Sequence, residues 1–244
     1  MSGHSKWHNI QARKGKQDAR RSGQFTKFAK LITIAAQKGG DPEMNFSLRL
    51  AIEKAKAVSM PKNNIDRAIK HGTGEDGAGA SMEEALYEAF GPGGVAILIK
   101  AVTDNKNRTI PDLKHILSEH SGSFGNAGSV QWMFHQWGMI MVEKDKMAKA
   151  TLDPQEMELK LIDAGVEDMQ DTNNGEIEIK TKTENFKKVL DVLQEAGVEV
   201  KESGIQWIAK DTIPISKEIE DKLGELFAAL EDNDDVEDYF TNAA

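Results

Sequence analysis

The 244-residue chain contains no cysteine, which excludes a disulfide framework, a thiolate metal site and a cysteine nucleophile. Long apolar runs are also missing: the longest, such as Leu31–Ala36 and Val95–Ile99, are far too short to span a bilayer. The basic N-terminus has no apolar stretch behind it and does not read as a secretory signal. A cytoplasmic protein with no membrane partner is the expectation. Catalytic signatures are absent too. No G-x-S-x-G is present, and neither Gly72–Gly79 nor Gly91–Gly94 carries a phosphate-loop or dinucleotide pattern. No cofactor is expected, and no enzyme. There is no internal repeat.

Net positive charge is lacking as well: 31 Lys and Arg stand against 40 Asp and Glu, giving -9 and a pI near 5.3. That average hides an asymmetry. Residues 1–75 hold 15 basic against 6 acidic residues, a balance of +9, while the remaining 169 hold 16 against 34, or -18. Such a split within one chain points to a polyanion-binding module joined to something else.

The hydrophobic pattern divides the chain. Residues 9–21 read as a helix with Arg13, Lys14, Lys16, Arg20 and Arg21 on one half and Ala12, Gly15 and Ala19 on the other. Ser22-Gly23 is expected to break it, and a second helix to run from Gln24 to Gln37 with Phe25, Phe28, Ala29, Ile32 and Ala36 buried. Asp41-Pro42 reads as the start of a third helix, and Lys62–Lys70 as a short fourth. The glycine-rich stretch Gly72–Ser81 is the clearest linker. Strands follow at Glu84–Phe90 and Val95–Val102, then a helix near Arg108–His120. From Gly138 the order is β-α-β-β-α-β, the ferredoxin-like order, with Asn173-Asn174-Gly175 as its hairpin. Helix Ser216–Leu230 and a strand at Val236–Phe240 have no sheet of their own, and are expected to return to the sheet begun at Glu84. The fold class is α+β: a helical N-terminal domain, 1–75, then a discontinuous α/β domain, 82–136 and 209–244, with a ferredoxin-like domain, 137–208, inserted in it.

The chemistry concentrates in the head. Each Lys or Arg that neutralises a phosphate releases counterions and adds salt-dependent affinity. Lys6, Trp7, Arg13, Lys14, Lys16, Arg20, Arg21, Lys27 and Lys30 are the candidate nucleic-acid contacts. Trp7 could stack on a base, whereas the helical spacing of Phe25 and Phe28 marks them as core. The competing reading, a solvated charged face, leaves the confinement of positive charge to one module unexplained. His4 and His8 lie four apart, but no third ligand is near, so no metal site is expected. In Asp104–Thr109, Asn107 or Thr109 reads as an N-cap, and Arg108 as a part of that turn or a partner contact. The acidic stretch Leu230–Asp238 lacks the calcium-loop pattern and reads as a solvated turn. The acidic domains would repel nucleic acid and leave their surface to a protein partner. No base-reading helix-turn-helix is evident, so the head looks built for phosphates and not for sequence.

Several ordered motifs carry a resemblance. Gly3-His4-Ser5-Lys6-Trp7, Asn9-Ile10, Arg13-Lys14, Asp18-Ala19 and Phe25-Thr26-Lys27 resemble the N-terminal signature of the YebC/PmpR family. The likeness continues through Gly40-Asp41-Pro42, Met60-Pro61, Gly72-Thr73-Gly74, Gly91-Pro92-Gly93-Gly94, Asn107-Arg108-Thr109 and Leu230–Val236. It departs at Gln11-Ala12, where relatives often have a basic residue followed by His. The resemblance implies a three-domain α+β protein around a concave surface, acting as a cytoplasmic DNA-binding regulator of transcription. Other members, among them the mitochondrial translational activator of cytochrome oxidase subunit I, act in translation, which would make ribosomal RNA or the ribosome the partner.

Overall fold

The computed structural model describes residues 19–77, 82–172 and 174–244, with the side chains of 19–22 left out. The chain forms two compact units, one from 132–211 and the other from the flanking segments.

The larger unit begins with three helices: α1 (Ala19–Ala36), α2 (Phe46–Ala57) and α3 (Lys62–Thr73). Their apolar stripes meet in one core of Ile32, Leu48, Ile52, Ala55, Met60, Ile65 and Ala68, with Phe25 and Phe28 packed against it. Two expectations fail here. Helix α1 runs unbroken through Ser22-Gly23, because a glycine inside a helix costs only about 1 kcal/mol and tertiary packing outweighs it. Asp41-Pro42 opens a turn, closed by Met44 and Asn45 donating to the Asp41 carbonyl. The helix starts later, where the Asn45 carboxamide oxygen accepts from the Leu48 N–H at 3.1 Å. The same side chain donates to the carbonyls of Ala35 and Gly39, at 2.8 and 2.7 Å. One asparagine therefore caps α2 and ties it to the end of α1.

The α/β part of this unit contains β1 (Glu83–Phe90), β2 (Ala96–Thr103), α4 (Lys106–Glu119) and the short β3 (Ser123–Phe124). Strand β2 is apolar almost throughout and buried at all positions but Lys100, the pattern of a central strand covered on both faces. The chain leaves for the second unit and returns at Thr212.

That second unit holds β4 (Phe134–Glu143), α5 (Pro154–Asp163), β5 (Val166–Asp171), β6 (Glu176–Thr181), α6 (Phe186–Glu195) and β7 (Val200–Ala209). The strands lie in the order β5-β6-β4-β7, all antiparallel, which is the ferredoxin-like topology. Strand β4 starts at Phe134, well before the expected Met139. Gly138 is not a boundary: a Cβ there would lie 2.6 Å from the Phe186 ring, so glycine lets α6 seat on the sheet.

After the return, α7 (Lys217–Asp232) and β8 (Val236–Thr241) complete the first sheet, in the order β3-β1-β2-β8. Leu113 and Leu117 of α4 and Leu223, Leu226 and Phe227 of α7 bury against Ile97 and Ile99 of β2. Phe227 stacks on Tyr239 at 4.3 Å between ring centroids. The fold is α+β, with a helical N-terminal part and two α/β domains, the ferredoxin-like one inserted in the other.

Helix α3 lies very close to α1, since a Cβ on Gly72 would overlap the Thr33 carbonyl oxygen. Gly72→Ala is therefore expected to destabilise the protein by about 1–3 kcal/mol through overpacking, although alanine favours a helix. Gly224→Ala, on α7 with open space around it, is expected to stabilise by about 0.5–1 kcal/mol. Thermal unfolding of both variants checks the pair: a stabilised Gly72→Ala would contradict the close contact.

Candidate nucleic-acid interface

Lys6, Trp7, Arg13, Lys14 and Lys16 of the expected contact set lie outside the described residues, as do His4 and His8. Arg20 and Arg21 fall in the first turn of α1. Lys27 and Lys30, the other two members, are turned inward. Lys27 Nζ donates to the Glu231 carbonyl at 2.6 Å, and Lys30 Nζ to the Asp234 carbonyl at 2.8 Å. These carbonyls belong to the end of α7 and the turn after it, where unsatisfied oxygens and the negative pole of the helix favour a cation. Burial lowers the pKa of Lys27, against the opposing pull of Asp234, Glu231 and Asp232.

Lys30 also pairs with Asp235 at 2.5 Å, and their side chains are only 13% and 5% exposed. Asp235 Oδ2 accepts from the Thr109 hydroxyl at 2.7 Å, and Arg108 Nη2 approaches the two carboxylate oxygens at 3.1 and 3.2 Å. Its own backbone carbonyl accepts from Val102 of β2. Burial by itself would raise the Asp235 pKa, but the Lys30 and Thr109 hydrogen bonds, the Lys30 charge and Arg108 together bring it below the ordinary value.

Three expectations are corrected by this cluster. The acidic stretch is not simply a solvated turn, because Asp235 is buried and joins α1, α4 and β8. Arg108 is an internal ion-pair partner of Asp235 and Asp104. The cap of α4 is Asn105, whose side chain accepts from Asn107 N, while the Thr109 hydroxyl serves Asp235. Nothing in the spacing of Lys30, Arg108 and Asp235 could reveal this, since Asp235 lies 205 residues from Lys30 and 127 from Arg108.

The glycine-rich loop after α4 also closes on a carboxylate of the chain itself. Backbone N–H groups of Gly128, Val130 and Gln131 donate to the Glu88 side chain, and Gly125 N donates to the Glu88 carbonyl. Such a ring of amides is an anion-binding arrangement, and here the anion is internal. Burial of Glu88 pushes its pKa up, but the amides of Val130, Gln131 and Gly128 outweigh this and leave it lowered.

The outward surface of the helical part is different. Helices α2 and α3 are joined by the four-residue turn Val58–Pro61, with Ser59 in the left-handed region at φ 62°. Both helices pack against α1, which holds the turn and the face of α3 beyond it in place. Lys62, Asn63, Arg67 and Lys70 are exposed on α3, opposite the buried Ile65 and Ala68. Among the described residues of the helical part, His71 and Asp76 form the one internal ion pair. In the α/β parts, by contrast, Lys100, Lys106, Lys144, Lys146, Lys217 and Lys222 all pair with acids. Among the described residues, no group of three or more His, Asp or Glu could hold a metal ion, and no helix is long and apolar enough to cross a membrane.

The chain thus joins a basic helical part to an α/β domain that carries an inserted ferredoxin-like domain. The chain belongs to the TACO1/YebC family: the model of its N-terminal domain matches residues 5–75, and that of its second and third domains matches 82–243. A probable transcriptional regulatory protein of Thermoanaerobacter pseudethanolicus is 47% identical over 243 residues, covering 99% of this chain and 96% of the relative. One of Maridesulfovibrio salexigens is also 47% identical, covering 100% and 95%. The crystal structure of a conserved hypothetical protein of Aquifex aeolicus superposes with a TM-score of 0.80 at 37% identity, covering 95% of this chain and 93% of that one.

Removing one partner of a buried ion pair leaves the other charge uncompensated, at a cost of about 3–5 kcal/mol. Asp235→Ala is expected to lower stability by about that amount at pH 7. Because the folded pKa values of Asp235 and Glu88 are lowered, the folded state binds fewer protons than the unfolded one. Their stabilisation is complete above the unfolded carboxylate pKa, about 4, and is lost as pH falls below it. Denaturant unfolding at pH 7 and at pH 3 should show the difference between wild type and Asp235→Ala shrinking in acid. A difference that stays constant would mean that the charge of Asp235 contributes nothing.

Proposed function

We propose that this protein is a non-enzymatic, DNA-binding regulator of transcription acting in the cytoplasm. One observation carries the reading: an excess of +9 is confined to residues 1–75 of a chain whose remainder carries -18. A positive module on an acidic body attracts a polyanion through one end only. The names of the relatives as probable transcriptional regulatory proteins support the same direction. Contacts are assigned to Lys6, Trp7, Arg13, Lys14, Lys16, Arg20 and Arg21. Lys27 and Lys30 are assigned instead to holding α1 on the acidic body.

The acidic parts are left to a protein partner. On α5 of the ferredoxin-like domain, Leu159 and Ile162 are 64% and 54% exposed, three residues apart and so adjacent on the helix surface. That apolar pair suits a protein surface better than a phosphate backbone.

Duplex DNA binding by the full chain is expected to weaken steeply with salt, log K falling by about 0.9 per log unit of salt for each phosphate contacted. The variant Arg13→Ala/Lys14→Ala/Arg20→Ala/Arg21→Ala should bind at least about tenfold more weakly. Filter binding between about 50 and 200 mM salt measures both. Retention of DNA that is insensitive to salt would refute the assignment. In the same cells, sedimentation with ribosomes that is lost in this variant, without promoter retention, would replace transcription by translation.

A further inference from the structure

We propose that α3 is a second nucleic-acid contact element, which enters the major groove of double-stranded DNA and reads base edges with Asn63 and Arg67. The proposal rests on the DNA-binding reading above and extends it from the head to a helix that has no assigned role.

Helices α2 and α3 have twelve residues each, and their turn is fixed by two features. Ser59 N donates to the Lys56 carbonyl and Met60 N to that of Ala55, at 2.8 and 3.0 Å. The Met60 side chain, 5% exposed, is sunk in the helical core. Helix α3 is also held from behind: the Thr33 hydroxyl of α1 donates to the Ala68 carbonyl at 3.2 Å, and Gly72 seats against the Thr33 backbone. A site built on a helix fixed in this way is presented with little freedom.

The face it presents is polar and cationic. At about 100° per residue, Lys62, Lys70, Asn63 and Arg67 fall within a sector of about 140°. All four are exposed, and no ion pair to a described residue engages the three cations. Asn63 and Arg67 are four apart and therefore neighbours on the helix surface. Their chemistry matches base edges: asparagine can bond adenine N6 and N7 together, and arginine guanine O6 and N7. Lys62 and Lys70 are separated by eight residues, about 12 Å along the axis, which places two cations for the phosphates flanking the groove. Asp66, half-buried in the same sector, disfavours a phosphate at its own position and can accept from a cytosine amine. A helix of this length, about 18 Å, fits a major groove about 12 Å wide.

The test uses the full chain and short DNA duplexes. Lys62→Ala/Arg67→Ala/Lys70→Ala should lower affinity at least about tenfold and reduce the salt slope by about 2, near 0.9 for each of the two lost phosphate contacts. The charge-keeping Lys62→Arg/Lys70→Arg should retain the wild-type slope. Circular dichroism and thermal unfolding establish that each variant is folded. Asn63→Ala should leave the slope unchanged but alter the bases enriched from a randomised duplex pool. A triple variant with wild-type affinity and slope, beside a head variant that has lost binding, would overturn the role of α3 alone. An unchanged base preference in Asn63→Ala would overturn base reading. A wild-type chain that binds no duplex DNA, or only RNA, would overturn the functional reading together with this one.

Discussion

The ion pair between Lys30 and Asp235 is the contact on which the larger unit depends. It crosses 205 residues of sequence and is almost completely removed from water. A carboxylate buried to that degree costs several kcal/mol unless its oxygens are satisfied. Here Lys30, Thr109 and Arg108 supply the donors, and each comes from an element whose placement fixes the next. Lys30 lies on α1, Thr109 and Arg108 on α4, and the Asp235 carbonyl is bonded into β2. The helical part and the α/β sheet thus share one electrostatic joint. Loss of Lys30 or Asp235 breaks the buried ion pair itself, whereas loss of Thr109 or Arg108 removes a donor and leaves the pair in place.

This joint resolves how a strongly cationic module lives on an acidic protein. Part of the positive charge is neutralised within the fold: Lys27 and Lys30 are spent on the carbonyls and carboxylate that follow α7. Helix α1 is therefore an attachment element as well as a core element. The cations of α3 have no such use, and they lie on the side of the helix away from the core. Glu88 follows the logic of Asp235 on a smaller scale. An internal carboxylate collects the amides of a glycine-rich loop that would otherwise invite a phosphate. In both places the anion that the local geometry calls for is supplied by the chain.

Much of the fold was legible in the sequence where periodicity decides. The apolar stripe of Phe25, Phe28, Ile32 and Ala36, the β-α-β-β-α-β order and the return of the last strand to the first sheet all rest on the spacing of apolar residues. Features decided by tertiary contact were not legible. The glycine inside α1 read as a break because its local cost is visible and the packing that offsets it is not. Asn45 was overlooked as a cap because Asp41-Pro42 gave a stronger local helix-start pattern. Lys27 and Lys30 looked like surface cations, since their acceptors are backbone oxygens two hundred residues away. The tight turn between α2 and α3 escaped notice because it holds Ser59, not glycine, in the left-handed region.

The central claim is that the helical part faces nucleic acid while its Lys27 and Lys30 face inward. Lysine footprinting by acylation and mass spectrometry, with and without duplex DNA, tests it most directly. Lys27 and Lys30 should react slowly in both states, and Lys62 and Lys70 should be modified freely until DNA is added. Lysines of the ferredoxin-like domain such as Lys187 and Lys188, exposed on α6, should be indifferent to DNA. Protection confined to Lys187 and Lys188, or none at Lys62 and Lys70, would contradict the account.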